Sequence, residues 1–433
     1  MKRRLAIGTA AAAAALALAL AGCTASAETA AEQDTGSAAG SAVTQEVETA
    51  QAQETASTEM TTTVVGEAYE GSALDVDGLF TDRDLRQKAD TSNATQIALA
   101  DGQDVEIAEE GVYVVSGTAS DVTIRVDADD SAKIQIVLDG ATIANADAPA
   151  IYVVSADKVL VTTTEGTTST LAVTGEFVAD GETNTDAVIF SRDDLVLNGL
   201  GTLVISSTDN GVTSKDDLKV SGGTYQIAAA GHGLEANDLI AVADGSFAIE
   251  AGTDALHSEN GDDSSQGSIY IGGGTFDISA SSDGLGGMAI VQVDNGTVGI
   301  SAAEGIEGTW VQINGGTVGI NASDDGINAT SKSTISSPLV EINGGEVSID
   351  MGGGDTDAID SNGSIRINGG TVNITANSPF DYDQEGELNG GTVIVNGEQV
   401  TELANQFGGM GGGPGMGGVP DGMQGGDRGP GAM

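Results

Sequence analysis

The sequence predicts an all-β protein, a single-stranded parallel β-helix in which each coil takes roughly 22 residues. The composition gives one indication, because 64 of 433 residues are glycine and only 3% are aromatic. Few large rings disfavour a helical bundle and favour small side chains that stack. The second indication is a set of glycines, spaced 20 to 29 residues apart, that each precede an alternating apolar strand: Gly201, Gly223, Gly245, Gly274, Gly296, Gly316, Gly345, Gly370 and Gly391.

Each repeat supplies about three short strands, which is typical of one solenoid coil. Sequences such as TYQI and TVGI follow the glycine, and others such as VQIN and VEIN precede it. Their Val and Ile residues are expected to point inward, while alternate residues face water. Asparagine recurs at one turn position of successive repeats, where it tolerates left-handed geometry and can form a ladder. The members of this predicted ladder are Asn314, Asn343, Asn368 and Asn389.

The region before the regular repeats, residues 75–175, reads as the first and less regular coils of the same solenoid. An open solenoid end exposes the unpaired edges of its sheets, so a covering segment is expected there. The sequence LFTDRDLRQK, residues 79–88, is the predicted N-terminal cap.

The two ends of the chain predict export and anchoring. Residues 1–22 read as a signal peptide that ends in LAGC, which resembles a bacterial lipobox. Lipidation of Cys23 would place the protein on the extracellular face of the cell membrane. Residues 23–63 read as a disordered acidic linker, 64–407 as the β-helix domain, and 408–433 as a disordered Gly/Met-rich tail. Because Cys23 is the only cysteine, no intramolecular disulfide can form.

The charge limits the partners. The chain has 65 acidic and 15 basic side chains and a formal net charge of −50. Such a chain repels nucleic acid and anionic lipid, so we expect no nucleic-acid partner and membrane contact only through the N-terminal lipid. It attracts cations.

A second motif, of the form Asp-Gly-Ile, recurs about ten residues after most of the glycines. Its apolar residue points into the core, so the polar residues on either side point outward and stack about 4.8 Å apart in successive coils. Stacked carboxylates repel one another, and oxygen-only ligands suit Ca²⁺. For any single acid, ordinary turn chemistry is the alternative. The acids that this spacing predicts as metal ligands are Asp283, Glu304, Glu307, Asp324, Asp325, Asp355, Asp357 and Asp360.

Two histidines, His232 and His257, occupy positions of the same motif. We expect exposed turn histidines there, with roles as metal ligands or general bases as the alternatives.

Several phrases resemble one bacterial family of surface-exposed carbohydrate-binding β-helix proteins whose fold is similar to that of pectate lyases. They are GVTSKDDLKVSGGTY (211–225), GHGLEANDLI (231–240), DALHSENGDD (254–263) and DAIDSNGSIRINGG (357–370), and the resemblance covers roughly residues 75–400. It implies a right-handed parallel β-helix, Ca²⁺ held by acidic loops, and binding of plant-type polysaccharides, including acidic ones. The acids inside matching phrases, which it implies as ligands, are Asp254, Asp357 and Asp360.

The favoured function is therefore non-catalytic, Ca²⁺-dependent binding of an acidic, pectin-like or cellulosic polysaccharide. Trp310 and Tyr270 are predicted to stack on sugar rings, with partial burial at a coil corner and simple cover of the sheet face as the respective alternatives.

Two other functions remain open. A Ca²⁺-dependent polysaccharide lyase needs a metal and a basic residue, for which Lys332 is the candidate unless it is an ordinary solvated lysine. An adhesin or matrix scaffold without a defined glycan would use only the repetition and the charge.

Overall fold

The computed structural model describes residues 71–353 and 356–405, and every regular element in these ranges is a β-strand. Thirty-eight strands, numbered along the chain, form three long sheets. The chain runs through sheet 2, sheet 1 and sheet 3 in turn, and then returns to sheet 2 one coil further on. The described residues include no helix long and apolar enough to cross a membrane.

Sheet 1 contains β1 (Thr95–Ala98), β3 (Gly111–Ser116), β6 (Lys133–Leu138), β9 (Lys158–Thr163), β12 (Asp194–Gly199), β15 (Asp217–Val220), β18 (Leu239–Val242), β21 (Ser268–Ile271), β24 (Ile290–Val293), β27 (Trp310–Ile313), β30 (Leu339–Ile342), β33 (Ser364–Ile367) and β36 (Gly386–Leu388). Sheet 2 contains β2 (Val105–Ile107), β5 (Ile124–Asp127), β8 (Ile151–Ser155), β11 (Ala187–Ser191), β14 (Asn210–Ser214), β17 (Leu234–Ala236), β20 (Leu256–Ser258), β23 (Asp283–Gly287), β26 (Glu304–Gly308), β29 (Ile327–Ala329), β32 (Asp357–Ser361) and β35 (Ser378–Tyr382).

Sheet 3 contains β4 (Thr118–Ser120), β7 (Thr142–Asn145), β10 (Thr168–Val173), β13 (Thr202–Ser207), β16 (Thr224–Ala229), β19 (Ser246–Ala251), β22 (Thr275–Ala280), β25 (Thr297–Ala302), β28 (Thr317–Ala322), β31 (Glu346–Met351), β34 (Thr371–Thr375), β37 (Thr392–Val395) and β38 (Glu398–Val400). Every pairing between these strands is parallel except the last, where β37 and β38 form an antiparallel hairpin. The all-β parallel β-helix predicted from the repeat is thus confirmed.

The core is a stack of inward side chains at equal register. Strand β16 alternates buried and outward residues, and the same alternation recurs in β19 and β22. Three rings stack within it: the Tyr225 and Phe247 centroids lie 5.1 Å apart, and those of Phe247 and Phe276 lie 4.4 Å apart. Burying each such side chain contributes about 1.5–3 kcal/mol, so the stacked core is what holds the coils at fixed spacing.

The predicted asparagine ladder is present between sheet 1 and sheet 3. Asn343 Nδ2 donates to Asn314 Oδ1 at 2.8 Å, and Asn368 Nδ2 donates to Asn343 Oδ1 at 2.8 Å. Asn389 continues the ladder by donating to Asn368 Oδ1 at 2.9 Å. An amide carries both a donor and an acceptor, so the ladder satisfies itself.

The predicted N-terminal cap lies elsewhere. Residues 71–88, here called the N-terminal strap, run along the outward face of sheet 1. Gln312 Nε2 donates to Gly71 O at 2.9 Å, whereas Asn198 Nδ2 donates to Asp84 O at 3.1 Å. The prediction that residues 79–88 cover the open end is therefore wrong, because their buried polar groups bond to the side of the solenoid.

Candidate functional site

The polar residues of the Asp-Gly-Ile motif form two columns on the outward side of sheet 2. Backbone hydrogen bonds between neighbouring coils, and the strand registers, hold the residues of each column in line. The leading column, which precedes the buried apolar residue, contains Asn210, His232, Asp254, Asp283, Glu304, Asp325, Asp357 and Ser378. The trailing column, which follows it, contains Thr213, Glu235, His257, Gly286, Glu307, Asn328, Asp360 and Asp381.

Part of the leading column has a structural task. Asp254 Oδ1 accepts a hydrogen bond from the backbone N–H of Asp283 at 3.0 Å, and Asp325 Oδ1 accepts one from Asp357 at 3.2 Å. A short side-chain acceptor at this position therefore ties one coil to the next. These bonds join different coils and are not the local turn chemistry considered from the sequence, but they too give a single acid a structural role.

Three predicted ligands form a carboxylate cluster. One oxygen from each of Asp283, Glu304 and Glu307 lies within 4.8 Å of the other two. Asp283 is 8% exposed and Glu307 is 9% exposed. Asn328 Nδ2 donates to Glu304 Oε2 at 3.1 Å, while Asn328 Oδ1 is shielded from solvent and has no hydrogen-bond partner among the described residues. The cluster therefore brings three carboxylates together beside an amide oxygen, and its neutral donors are Asn328 Nδ2 and Ser282 Oγ, which donates to Asp283 Oδ1 at 3.0 Å.

The pKa values of several acids in the columns are raised, because the buried and stacked carboxylates are less stable in their ionised form. Burial raises the pKa of Asp283 to about 7, and the charges of Asp254 and Glu307 add to the effect. Burial, reinforced by neighbouring carboxylates, raises the pKa of Asp325 and of Asp360 to about 6. Because desolvation and like charges disfavour the ionised form, a proton or a cation would stabilise the row.

The remaining predicted ligands are less tightly grouped. Within the described ranges, Asp325, Asp357 and Asp360 stand in the two columns but form no three-carboxylate cluster of that tightness. Asp324 is exposed beside the leading column. Asp355 lies outside the described residues, as does Cys23.

Lys332 lies against the carboxylate cluster, with its Nζ paired to Glu307 Oε2. Burial acts to lower the pKa of the Lys332 ammonium, but the bond to the Glu307 carboxylate outweighs it and raises the pKa. The ammonium therefore neutralises part of the cluster and does not expose a free basic nitrogen.

The chain matches the family model described as "Carbohydrate-binding domain-containing protein" over residues 101–378 and 301–403. The chain belongs to this carbohydrate-binding family. A relative of the same description from Acetivibrio thermocellus is 33% identical over 139 residues, which are 31% of this chain and 48% of that protein. The chain thus spans about half the length of the relative that it matches.

A solved structure is also similar, the "polysaccharide lyase-like protein from C. thermocellum, Gadolinium derivative". It is 26% identical, with a TM-score of 0.46, over 58% of this chain and 99% of the other. The family resemblance seen in the sequence is confirmed by the family match.

The two aromatic residues predicted to contact carbohydrate lie away from the columns, on the side of sheet 1. Tyr270 is only 2% exposed, and its hydroxyl donates to Asp294 at 3.2 Å. It is in register with Gln292, whose side chain accepts a hydrogen bond from Leu74 of the N-terminal strap. The prediction that Tyr270 offers an outward ring for stacking is wrong, because the strap runs beside it and the ring is buried.

Trp310 is half-buried at the start of β27. It lines a shallow depression together with Leu74, Leu239, Ile290 and Ile335. Its role in sugar stacking stays a prediction.

The expectation of exposed turn histidines is wrong. His232 and His257 are not exposed turn residues: their side chains are 22% and 23% exposed, and their rings stack with centroids 4.2 Å apart. The signal was their place in adjacent repeats, at the leading position of one coil and the trailing position of the next.

Proposed function

We propose that this family member is a surface-anchored, non-catalytic polysaccharide-binding protein whose sheet 2 columns bind acidic glycans through Ca²⁺. The observation that carries the proposal is the carboxylate cluster of Asp283, Glu304 and Glu307. Family membership supports binding of carbohydrate, and the cluster supports the requirement for a cation.

The donor set fits Ca²⁺. This ion takes about six to eight oxygen ligands in flexible geometry, from carboxylates, amide carbonyls and water. The cluster supplies three carboxylates, and the shielded Asn328 Oδ1 is an amide oxygen still without a donor. A bound Ca²⁺ would supply positive charge and open coordination positions.

The net charge explains why the cation matters for the ligand. A chain of formal charge −50 repels a polyuronate, so direct contact between carboxylates is unfavourable. Carboxylates and hydroxyls of a glycan can fill the coordination positions that the three protein carboxylates leave open. Repetition of the columns along the solenoid axis suits an extended, repeating ligand.

The cellular location is part of the same proposal. The LAGC sequence that ends at Cys23 supports lipidation of that thiol and tethering at the extracellular face of the cell membrane. A tethered binder would retain polysaccharide at the cell surface.

A polysaccharide lyase is the second candidate, favoured by the contact between Lys332 and the cluster. A general base works best with a pKa near the operating pH. Since Glu307 raises the pKa of Lys332, the ammonium is poorly suited to remove a proton, and binding without cleavage is favoured.

Affinity electrophoresis tests the proposal. The full-length protein is run in gels containing polygalacturonate, a cellulose derivative or no glycan, with Ca²⁺ or a chelator. We expect retardation by polygalacturonate only with Ca²⁺, and loss of this retardation in Asp283→Asn/Glu307→Gln. The matched control is Glu250→Gln/Asp277→Asn, which removes the same charges from exposed positions of sheet 3.

Equal mobility in every gel would contradict the proposal and favour a scaffold without a defined glycan. An unsaturated product absorbing in the ultraviolet would instead support the lyase.

A further inference from the structure

The full sequence contains two histidines, and the fold brings them into contact. His232 stands in the leading column and His257 in the trailing column of the next coil. Their rings are 20° from parallel, with centroids 4.2 Å apart. Two imidazoles that each became positively charged at this distance would repel one another.

Both rings face the same carboxylate. His257 Nδ1 lies 2.7 Å from Asp254 Oδ2, and His232 Nδ1 lies 3.5 Å from the same oxygen. Asp254 is 6% exposed, so this carboxylate is nearly removed from water. A donor atom from each of the three residues lies within 4.8 Å of the other two.

The hydrogen bonds indicate which ring nitrogens carry protons. The backbone N–H of Asp254 points to His232 Nδ1 at 3.3 Å, so this nitrogen acts as an acceptor. The proton of the neutral His232 ring is then on Nε2, and Asp254 Oδ2 lies within hydrogen-bond distance of His257 Nδ1, at 2.7 Å. A cation among the three side chains would replace the proton between His257 and Asp254, and it would compete with the long backbone hydrogen bond for the lone pair of His232 Nδ1.

We propose that His232, Asp254 and His257 form a site for a divalent transition-metal ion of the Zn²⁺ class. Two imidazole nitrogens and one carboxylate oxygen are a ligand set that Zn²⁺ accepts, with water in the fourth position of a tetrahedron. Imidazole ligands suit Zn²⁺, Co²⁺ and Ni²⁺, whereas Ca²⁺ takes oxygen ligands. This site therefore differs in chemistry from the carboxylate cluster one coil away, and it does not rest on the glycan proposal.

The surroundings hold the three ligands in place. Asp254 Oδ1 is engaged by the Asp283 N–H, which leaves Oδ2 turned toward the histidines. Glu259 Oε2 lies 3.7 Å from His257 Nε2, on the far side of that ring. At this distance Glu259 makes no hydrogen bond to the ring, but its negative charge favours a positively charged or metal-bound imidazole.

Space beside the ligands comes from a glycine. Gly286 follows His257 in the trailing column, where Glu307 then follows in the next coil. A Cβ at Gly286 would lie 3.4 Å from Asp254 Oδ2 and 2.9 Å from Asp283 Oδ2. The absent side chain keeps the approach to Asp254 open.

Co²⁺ serves as the spectroscopic probe, because its visible absorption reports nitrogen ligands and tetrahedral geometry. The full-length protein, without a polyhistidine tag and saturated with Ca²⁺, is titrated with Co²⁺ and then with Zn²⁺. We expect about one equivalent of Co²⁺ to give tetrahedral absorption bands that Zn²⁺ abolishes. His232→Gln and His257→Gln should each weaken Co²⁺ binding by about 100-fold or more. The control Asp262→Asn, an exposed acid of the following loop, should bind as the unsubstituted chain does.

Unchanged bands in His232→Gln/His257→Gln would overturn the proposal by assigning the ion to carboxylates. Absence of bands in the unsubstituted protein would also overturn it, leaving an ion pair between His257 and Asp254. Should the variants fail to fold, NMR of the unsubstituted protein decides. Zn²⁺ should shift the ring signals of both histidines, and unshifted signals would contradict the site.

Discussion

Two polar ladders run along the same solenoid, and they differ in how they are satisfied. In the asparagine ladder each amide donates to the preceding one, as Asn343 does to Asn314 and Asn368 does to Asn343. In the sheet 2 columns, Asp283 and Glu304 stand at equal register, but neither carboxylate can donate to the other when ionised. The fold supplies the same stacking to both ladders. The side chains decide whether a ladder satisfies itself or leaves charges that a proton or a cation would balance.

We expect the largest effect on folding stability when a carboxylate, as found in the sheet 2 columns, replaces an amide of the asparagine ladder. Asn343→Asp removes the donor to Asn314 and places an anion in a self-satisfied row. We expect a loss of about 1–3 kcal/mol in the free energy of unfolding, because a partly buried acceptor loses its partner. Denaturant unfolding measures it. Ser348→Asp, which adds a charge on the exposed face of sheet 3 in the same coil, is the control and should change little. Equal losses in both variants would mean that charge alone matters.

A smaller effect should appear when the acidic columns are titrated. Asp283, with its pKa raised to about 7, and Asp325 and Asp360, with theirs raised to about 6, hold protons in the folded state that the unfolded chain releases. Their contribution to stability is therefore present at low pH and is lost as pH rises from about 4 to about 7.

In metal-free protein we expect a melting temperature several degrees higher at pH 5 than at pH 8, since ~1 kcal/mol moves it by about 2 °C in a large domain. Ca²⁺ should reduce this difference by stabilising the ionised form at pH 8, and Asp283→Asn should reduce it without Ca²⁺. A melting temperature that rises from pH 5 to pH 8 in the metal-free protein would contradict the account.

The smallest effect is expected outside both ladders. Tyr270→Phe removes the hydroxyl that bonds to Asp294 but keeps the buried ring. It should cost about 0.5–1.5 kcal/mol in the free energy of unfolding and leave retardation by glycan unchanged. Weaker retardation without a matching change in stability would return Tyr270 to the binding surface. Retardation of Trp310→Phe, measured in the same gels, shows whether Trp310 contributes to glycan binding when Tyr270 does not.

Much of the fold was predictable because, in a repeat protein, the spacing of a motif along the sequence also determines which residues lie side by side in neighbouring coils. The recurring glycine and strand motif aligns Asn314 with Asn343 across a longer coil of 29 residues, and it aligns Asp283 with Glu304 across a coil near the usual length of about 22. The N-terminal strap could not be found this way. Gly71 and Gln312 are far apart in sequence and lie outside any common repeat, so their pairing carries no periodic signal.

The candidate site was predictable as two columns but not in its detail. The repeat indicates which side chains point outward, yet it does not say that Gly286 leaves a gap or that Lys332 pairs with Glu307. The repeat places His232 and His257 in adjacent coils, but it does not give the stacking of their rings, because that depends on the side-chain rotamers.

Calorimetric titration of Ca²⁺ into the metal-free, full-length protein tests the central claim most directly. At about 0.15 M salt, screening suppresses diffuse attraction to the net negative charge. We predict saturable binding that Asp283→Asn/Glu307→Gln weakens on the order of ten- to a hundredfold, with Glu250→Gln/Asp277→Asn unaffected. Identical isotherms for all three proteins would contradict the claim that the carboxylate cluster is a calcium site.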